Sequence, residues 1–450
     1  MSESHSGRRL FWLFGTGDLT TSAPLAIIAF FQLFFLTDVA RLSPAYAGLA
    51  ILLGKLWDAV NDPVVGVLAD RVRSRFGRRR VLLLAGAVPV GLSFLLMWIV
   101  PPLSTPFLIA YYTATYIIFD TCFTVVGVAY NSLTPTLTSD YDEQSSLNGI
   151  RMVYSISGSL LAVIIGTVLQ WVIDDEGRLF VLLGVIVGAV IAIPPLVVAR
   201  AVKERDTVSG GVQPPTLRGI RQVLENRPFR AAMGVYLTSW TAVTLIAANL
   251  VYYARYNLGI PDQANYFVLV AQGVALLFIP VSVGIARRWD KRAAAFVGFG
   301  TMVPVLVAIA LVSPERYRMV YALAALLGLG IATAYVTPWS MIPDVIQWDT
   351  RETGSRREAT YYAVVSFVQK LGTALALWVV AQALDASGYV TPTVAVPLPV
   401  QPVAALSWIR AFLTIVPAGL LLAAMAFASI YPITRSVHAD ITAELEERGI

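Results

Sequence analysis

Apolar runs of about twenty to thirty residues follow one another along most of the chain, separated by short polar connections. A helix that crosses a bilayer needs about 20 mostly apolar residues. Twelve runs qualify, at 10–38, 44–70, 81–100, 106–134, 149–173, 179–201, 229–257, 264–287, 293–313, 318–343, 358–385 and 405–432. A transmembrane β-barrel shows short alternating segments instead, and none is found. The pattern predicts an all-α polytopic membrane protein with twelve transmembrane helices. The longest polar interruption is 202–228, "VKERDTVSGGVQPPTLRGIRQVLENRP". Its glycines, prolines and charges read as a cytoplasmic central linker. It separates two six-helix halves, 1–201 and 229–435, and residues 436–450 are expected to form a solvated cytoplasmic tail, with a short amphipathic helix over "ITAELEERGI" as the alternative.

Composition agrees: 57% of the 450 residues are hydrophobic and 14% charged, against roughly 25% charged in a soluble domain. Basic residues are placed asymmetrically. Of the 33 arginines and lysines, 24 fall on one side of the twelve-span map, six on the other, and three (Lys55, Arg151, Lys370) inside spans. The positive-inside rule then puts both termini in the cytoplasm, and a plasma (inner) membrane is expected. An odd number of spans scrambles the asymmetry, so count and charge support each other.

Several chemistries are disfavoured. Cys122 is the one cysteine, so no intrachain disulfide forms. His5 and His438 lie near the termini, which argues against zinc or a histidine proton relay in the membrane. The N-terminal "MSESHSGRRLFWLFGTGDLTTS" carries Asp18 and no small-residue cleavage site, so it reads as a first span rather than a signal peptide. Neither a Walker A motif, H-E-x-x-H nor G-x-S-x-G occurs. No enzyme activity, no bound cofactor beyond a coupling ion and no nucleic-acid partner is expected.

Ionisable residues inside spans face a cavity or a partner, because an exposed charge at the bilayer centre costs roughly 2.5–3.5 kcal/mol. The candidates are Asp18, Lys55, Asp58, Asp62, Asp120, Arg151 and Lys370. Asp58 and Asp62 are four apart and share a helix face, with Asn61 beside them. Two carboxylates so placed repel each other unless a cation lies between them or one holds a proton. Pro63 leaves the carbonyl of Ala59 without its helical donor. Carboxylate, amide and carbonyl are the hard oxygen ligands of a hard cation; the plainer alternative is a Lys55–Asp58 salt bridge beside a proline kink. Lys370 lies about twelve residues into its span, deep for snorkelling, and a partner in the other half, Asp58 or Asp62, is expected. For Arg151, nearer a helix start, snorkelling is the alternative. For Asp18, in "GTGD", the alternative is a kinked N-terminus with a local hydrogen bond, and Asp120 is expected to do no more than pair with a neighbouring helix.

A weak internal repeat is present. "GVLADRVRSRFGRRR" follows span 2, and "GIARRWDKR" follows span 8, six spans later. Such spacing suggests parallel duplication of a six-helix unit and resembles the major facilitator superfamily, whose Gly-x-x-x-Asp-Arg loop follows the second helix. The resemblance implies that fold and assigns Gly66, Asp70, Arg71 and Arg78 to a cytoplasmic latch between halves. "WDAVNDPVVGVLADRVRSRFGRRR", "PWSMIPDVIQWDTRETGSRRE" and "FVQKLGTALALWVVAQALDASGY" further resemble the glycoside–pentoside–hexuronide:cation symporter family. That resemblance implies a Na+ or H+ site at Asp58, Asn61 and Asp62, completed by Thr124 in "CFTVVGVAYNSLTPTLT", with Lys370 as the coupling lysine. It implies substrate contacts at Asp18 and Arg151. Two positions depart from the melibiose branch: Gly127 replaces a sugar-binding aspartate and Asn131 a stacking tryptophan. The span 4–5 region and "PWSMIPD" are also similar to the vertebrate sodium-dependent lysophosphatidylcholine symporters.

The expected function is Na+- or H+-coupled symport of a sugar, glycoside or sugar acid by alternating access, in a monomer whose other partner is the lipid bilayer. A lysophospholipid or other amphiphile is the alternative substrate. A cation-independent uniporter is a further reading, and a membrane-embedded enzyme a remote one.

Overall fold

The computed structural model describes residues 2–137, 141–202, 217–355 and 357–448. Among these it is helical, with no strand. The helices are α1 (Ser2–Gly15), α2 (Gly17–Phe34), α3 (Pro44–Arg71), α4 (Arg78–Leu96), α5 (Thr105–Leu137), α6 (Tyr141–Gln170), α7 (Glu176–Ala201), α8 (Leu217–Glu225), α9 (Arg227–Tyr252), α10 (Ala264–Arg288), α11 (Lys291–Ala310), α12 (Met319–Thr353), α13 (Glu358–Ala386), α14 (Val403–Leu413), α15 (Ile415–Ile430) and α16 (Arg435–Glu447). Short π-helical turns extend α2 over Phe35–Val39 and α9 over Tyr253–Asn257.

Eleven helical segments are long and apolar enough to cross a membrane. The twelfth crossing is α3, whose 28 residues include Lys55, Asp58 and Asp62. At 1.5 Å per residue it is about 42 Å long, more than a hydrocarbon core of roughly 30 Å requires. With α1–α2 and α14–α15 each counted as one broken helix, the crossings number twelve, as the hydrophobic pattern predicts. Large aliphatic side chains such as Leu277, Val172 and Leu311 are more than 70% exposed, as expected for lipid-facing positions.

The chain forms two compact units, Met1–Gly210 with Val390–Pro399, and Gly211–Tyr389 with Val400–Ile450. In the first, α4 packs on α7 and α5, α2 on α6, and α3 on α5. The α4–α7 crossing is built on glycine. A Cβ at Gly91 meets the Gly188 carbonyl at 2.4 Å, and one at Gly188 meets the Gly91 carbonyl at 2.7 Å. Small residues bring helices close in a bilayer, where packing rather than water drives association. In the second unit, α12 packs on α10 and α11, and α9 on α15, α13 and α12. Polar side chains cap three starts: Asp175 accepts from the Arg178 N–H (2.7 Å), Asn226 from Phe229 (3.0 Å) and Asp290 from Arg292 (3.1 Å), satisfying backbone donors that have no partner within the helix.

Helix ends differ in places from the expected limits. The tenth crossing does not end at 343; α12 continues to Thr353. Asp344 and Asp349, each 4% exposed, are neutralised there by Lys291 (2.6 Å) and Arg357 (2.8 Å). The helix of the fifth crossing starts at Tyr141, and the apolar span within it starts at Ser146, close to the expected 149. Of the two readings of the tail the helical one holds: Arg435–Glu447 is the helix α16, which packs on α12. Val437, Ile441 and Leu445 fall at i, i+4 and i+8, and Ile441 and Leu445 are buried. His438 lies 3.4 Å from Asp344, and Arg448 donates to the Arg351 carbonyl. Within the linker expected at 202–228, residues 203–216 lie outside those described, and 217–225 form the amphipathic helix α8.

Candidate functional site

The site residues of the first unit converge on one helix. Asp120, Thr124, Gly127, Asn131 and Thr134 recur at i, i+4, i+7, i+11 and i+14 along α5, a spacing that gives them one face. From Asp120 to Asn131 this stripe is about 16 Å long at 1.5 Å per residue.

At one end it meets α3. The Thr124 hydroxyl donates to Asp62 Oδ1 (3.1 Å). Asn61 Nδ2 donates to Asp120 Oδ2 (3.1 Å) and to the Asp120 carbonyl (3.4 Å). One turn earlier, Trp57 Nε1 donates to Thr121 Oγ1 (3.0 Å). Asn61, Asp120 and Thr124 are buried, while Asp58 and Asp62 are half-buried. Lys55 Nζ stands 5.7 Å from the centre of the Tyr116 ring, at the distance where a cation is attracted to an aromatic face. Among the described residues no three His, Cys, Asp or Glu side chains are grouped to share a metal ion. The oxygen donors are instead mixed, with carboxylate, amide and hydroxyl together, a set suited to a hard cation of low charge.

At the other end the stripe meets α2 and α6. Arg151 holds Asp18 with two nitrogens, Nε to Oδ2 at 2.8 Å and Nη2 to Oδ1 at 3.3 Å. The same guanidinium donates to Asn131 Oδ1 (2.7 Å) and Thr134 Oγ1 (3.0 Å). It lies 4.7 Å from the Tyr130 ring centre. The Tyr130 hydroxyl donates to Asp18 Oδ2 (2.6 Å), with the Phe14 carbonyl 3.1 Å away. Gly17 makes room for that tyrosine, since a Cβ there sits 2.3 Å from its ring. Arg151 therefore points inward to a partner rather than snorkelling. The hydrogen bonds of Asp18 reach across two helices rather than staying local, although the chain does break between α1 and α2.

Between the two ends is Gly127, where a Cβ meets nothing within 4 Å. Asn131 is exposed although it lies within a crossing helix. Lys370 is half-buried on α13 in the second unit. Of the latch residues, Gly66 has open space beside it, Arg71 is exposed and Arg78 half-buried; the Asp70 side chain lies outside those described.

The second unit contributes a feature missed in the sequence. Tyr236 and Trp240 on α9 meet Trp339 and Tyr335 on α12, at ring-centre distances of 5.4 Å and 5.9 Å. Tyr362 on α13 stacks on Trp339 at 6.4 Å, and Gln272 on α10 hydrogen-bonds the Tyr335 hydroxyl. The available signal was the i, i+4 aromatic pair on each of two helices, Tyr236/Trp240 and Tyr335/Trp339.

A family profile described as "MFS/sugar transport protein" matches residues 13–435. The chain belongs to this transporter family. It is similar to an uncharacterized symporter of Synechocystis sp., 32% identical over 100% of this chain and 99% of the relative. The sodium-dependent lysophosphatidylcholine symporter 1 of Gallus gallus is 27% identical over 90% of this chain and 83% of its own. Among solved structures, a point-mutant form of the nucleoside transporter NupG superposes with a TM-score of 0.67 at 12% identity, over 95% of this chain and 100% of that one; at that identity the likeness concerns the fold. Membership of the MFS/sugar transport family makes the chain an integral membrane transporter of symporter type with a small-molecule substrate.

Proposed function

We propose that the chain couples uptake of a sugar, glycoside or sugar acid to entry of Na+ or H+, acting as a monomer in the plasma (inner) membrane with both termini cytoplasmic. The observation that supports this reading is the α5 stripe. It ties Asp62 through Thr124 to the same helix face that ties Arg151 and Asp18 through Asn131 and Thr134. A cation at Asp58 and Asp62 relieves the repulsion between the carboxylates and engages oxygens on α5. Any shift of α5 along or about its axis then reaches the substrate end. By linkage, substrate raises cation affinity by the factor with which cation raises substrate affinity. Lys370 is proposed as the coupling lysine. Gly127 in place of a carboxylate, on the α5 face whose Asn131 and Thr134 accept from Arg151, favours an anionic sugar over a neutral disaccharide.

A lysophospholipid or related amphiphile is the second reading. It is supported by the similarity to the Gallus gallus symporter and by the aromatic surface of Trp240, Tyr335 and Trp339. One experiment separates the two: uptake into proteoliposomes of neutral sugars, sugar acids, a sulfonated sugar and lysophosphatidylcholine, under a Na+ gradient, a proton gradient or none. Gradient-driven uptake is expected for one class and is lost in Asp58→Cys and Asp62→Cys. Wild-type coupled uptake in both variants removes the cation assignment. Uptake of lysophosphatidylcholine alone replaces the sugar reading with the second.

A further inference from the structure

We infer that the first unit contains a water-binding site: one water molecule, held by Gln32, Trp98 and Thr115, ties α2 to α5 and to the turn after α4. The inference does not depend on which substrate the chain carries. It starts from two polar atoms. Gln32 Oε1 and Trp98 Nε1 are both buried, and neither has a hydrogen-bond partner among the described residues. Their residues are 6% and 1% exposed. An indole N–H only donates and an amide oxygen only accepts. Left alone, each carries the desolvation cost of a buried polar group. A direct bond between them would remove both costs, and they do not make one.

Both residues line the same cavity, together with Met97 and with Tyr112 and Thr115 of α5. Its volume is about 10 Å3, room for one water molecule and no larger ligand. A buried water makes about three hydrogen bonds, and the cavity offers three partners. The water accepts from Trp98 Nε1 and donates to Gln32 Oε1. Its second hydrogen goes to Thr115 Oγ1. The proton of that hydroxyl is committed to the Tyr112 carbonyl at 3.2 Å, which leaves its oxygen to accept. The Tyr112 hydroxyl does not compete, because it donates to the Ile99 carbonyl at 3.0 Å. Trp98 stacks on Phe180 at 5.5 Å and meets Phe35 edge-on at 5.1 Å, so its ring is held where it is. α2 packs chiefly on α6 and α7 rather than on α5. Its polar tie to α5 is the bond between Asp18 and Tyr130. The water supplies a second tie, about 21 Å farther along α2 at 1.5 Å per residue.

The test is radiolytic footprinting of the purified full-length protein, in which hydroxyl radicals form from water in place and mark the side chains beside it. Trp98 is expected to be labelled despite its burial. Phe94, which packs on Trp98 at 5.8 Å but stands outside the cavity, is expected to stay unlabelled. Labelling of Trp98 is lost in Gln32→Leu, which takes an acceptor from the water. Thermal unfolding gives a second reading. Gln32→Leu and Trp98→Phe each lower the unfolding temperature by about 4 °C, because each leaves a polar partner stranded. The double variant falls no further than the less stable single, since both stranded groups are then gone. Should Trp98→Phe fail to fold, Thr115→Val takes its place in the cycle. A wild-type Trp98 that stays unlabelled, labelling unchanged in Gln32→Leu, or a double variant that falls by the sum of the singles overturns the site.

Discussion

Replacing Arg151 by Met removes the cation of the Asp18 pair while keeping an unbranched side chain of similar length. The two side chains are only 19% and 11% exposed. Taking one partner from a buried pair costs about 3–5 kcal/mol, mostly because the other charge stays buried without it. Asp18 keeps the Tyr130 hydroxyl at 2.6 Å, so the low end applies, about 3 kcal/mol. For a folding unit of 150–250 residues each kcal/mol moves the unfolding temperature by about 2–4 °C, giving a drop of about 6–12 °C. Asp18→Asn in the Arg151→Met background removes the stranded charge, and the double variant should recover about half of that loss. Thermal unfolding of purified Arg151→Met, Asp18→Asn and the double variant in detergent, followed by tryptophan fluorescence, reads all three values. A drop below about 2 °C in Arg151→Met, or a double variant that falls by the sum of the singles, refutes the argument that Arg151 is buried for the sake of Asp18.

Two further outcomes follow from the packing. Gly127→Asp has room for its side chain, so unfolding should move by less than about 3 °C while uptake shifts from anionic toward neutral sugars; unchanged selectivity in the proteoliposome panel counts against Gly127 as a substrate position. Ile441→Asp removes a fully buried side chain of α16, worth about 1.5–3 kcal/mol of burial; limited proteolysis should then cleave the 435–448 segment at least about tenfold faster, and wild-type resistance places the helix's hold elsewhere.

Periodicity and charge were enough for the membrane class, the twelve crossings and the paired carboxylates of α3. These are local properties: a bilayer accepts only long apolar helices, and Asp58 and Asp62 share a face because of helical spacing alone. Helix ends were less legible. At α12 the residues "PDVIQWD" look like the start of a loop, yet Lys291 and Arg357 neutralise Asp344 and Asp349 from elsewhere in the second unit, and the helix runs on. The docking of the tail helix on α12 was hidden for a similar reason, since a three-residue apolar stripe does not name the surface that covers it.

Asp18 and Arg151 stand out in the sequence as charges within spans, but their substrate role and the place of Thr124 came through resemblance, and nothing in their own neighbourhoods along the chain joined them. Asp120 was read as a simple helix partner, because its bond to Asn61 spans 59 positions. The sequence by itself determined that charges lie within the membrane, because hydropathy and helical spacing are written residue by residue. Which charges meet, which amide atom is turned toward α5 and where Gly127 leaves space were decided only by tertiary packing. Distance and orientation between side chains of different helices do not exist until the helices are side by side.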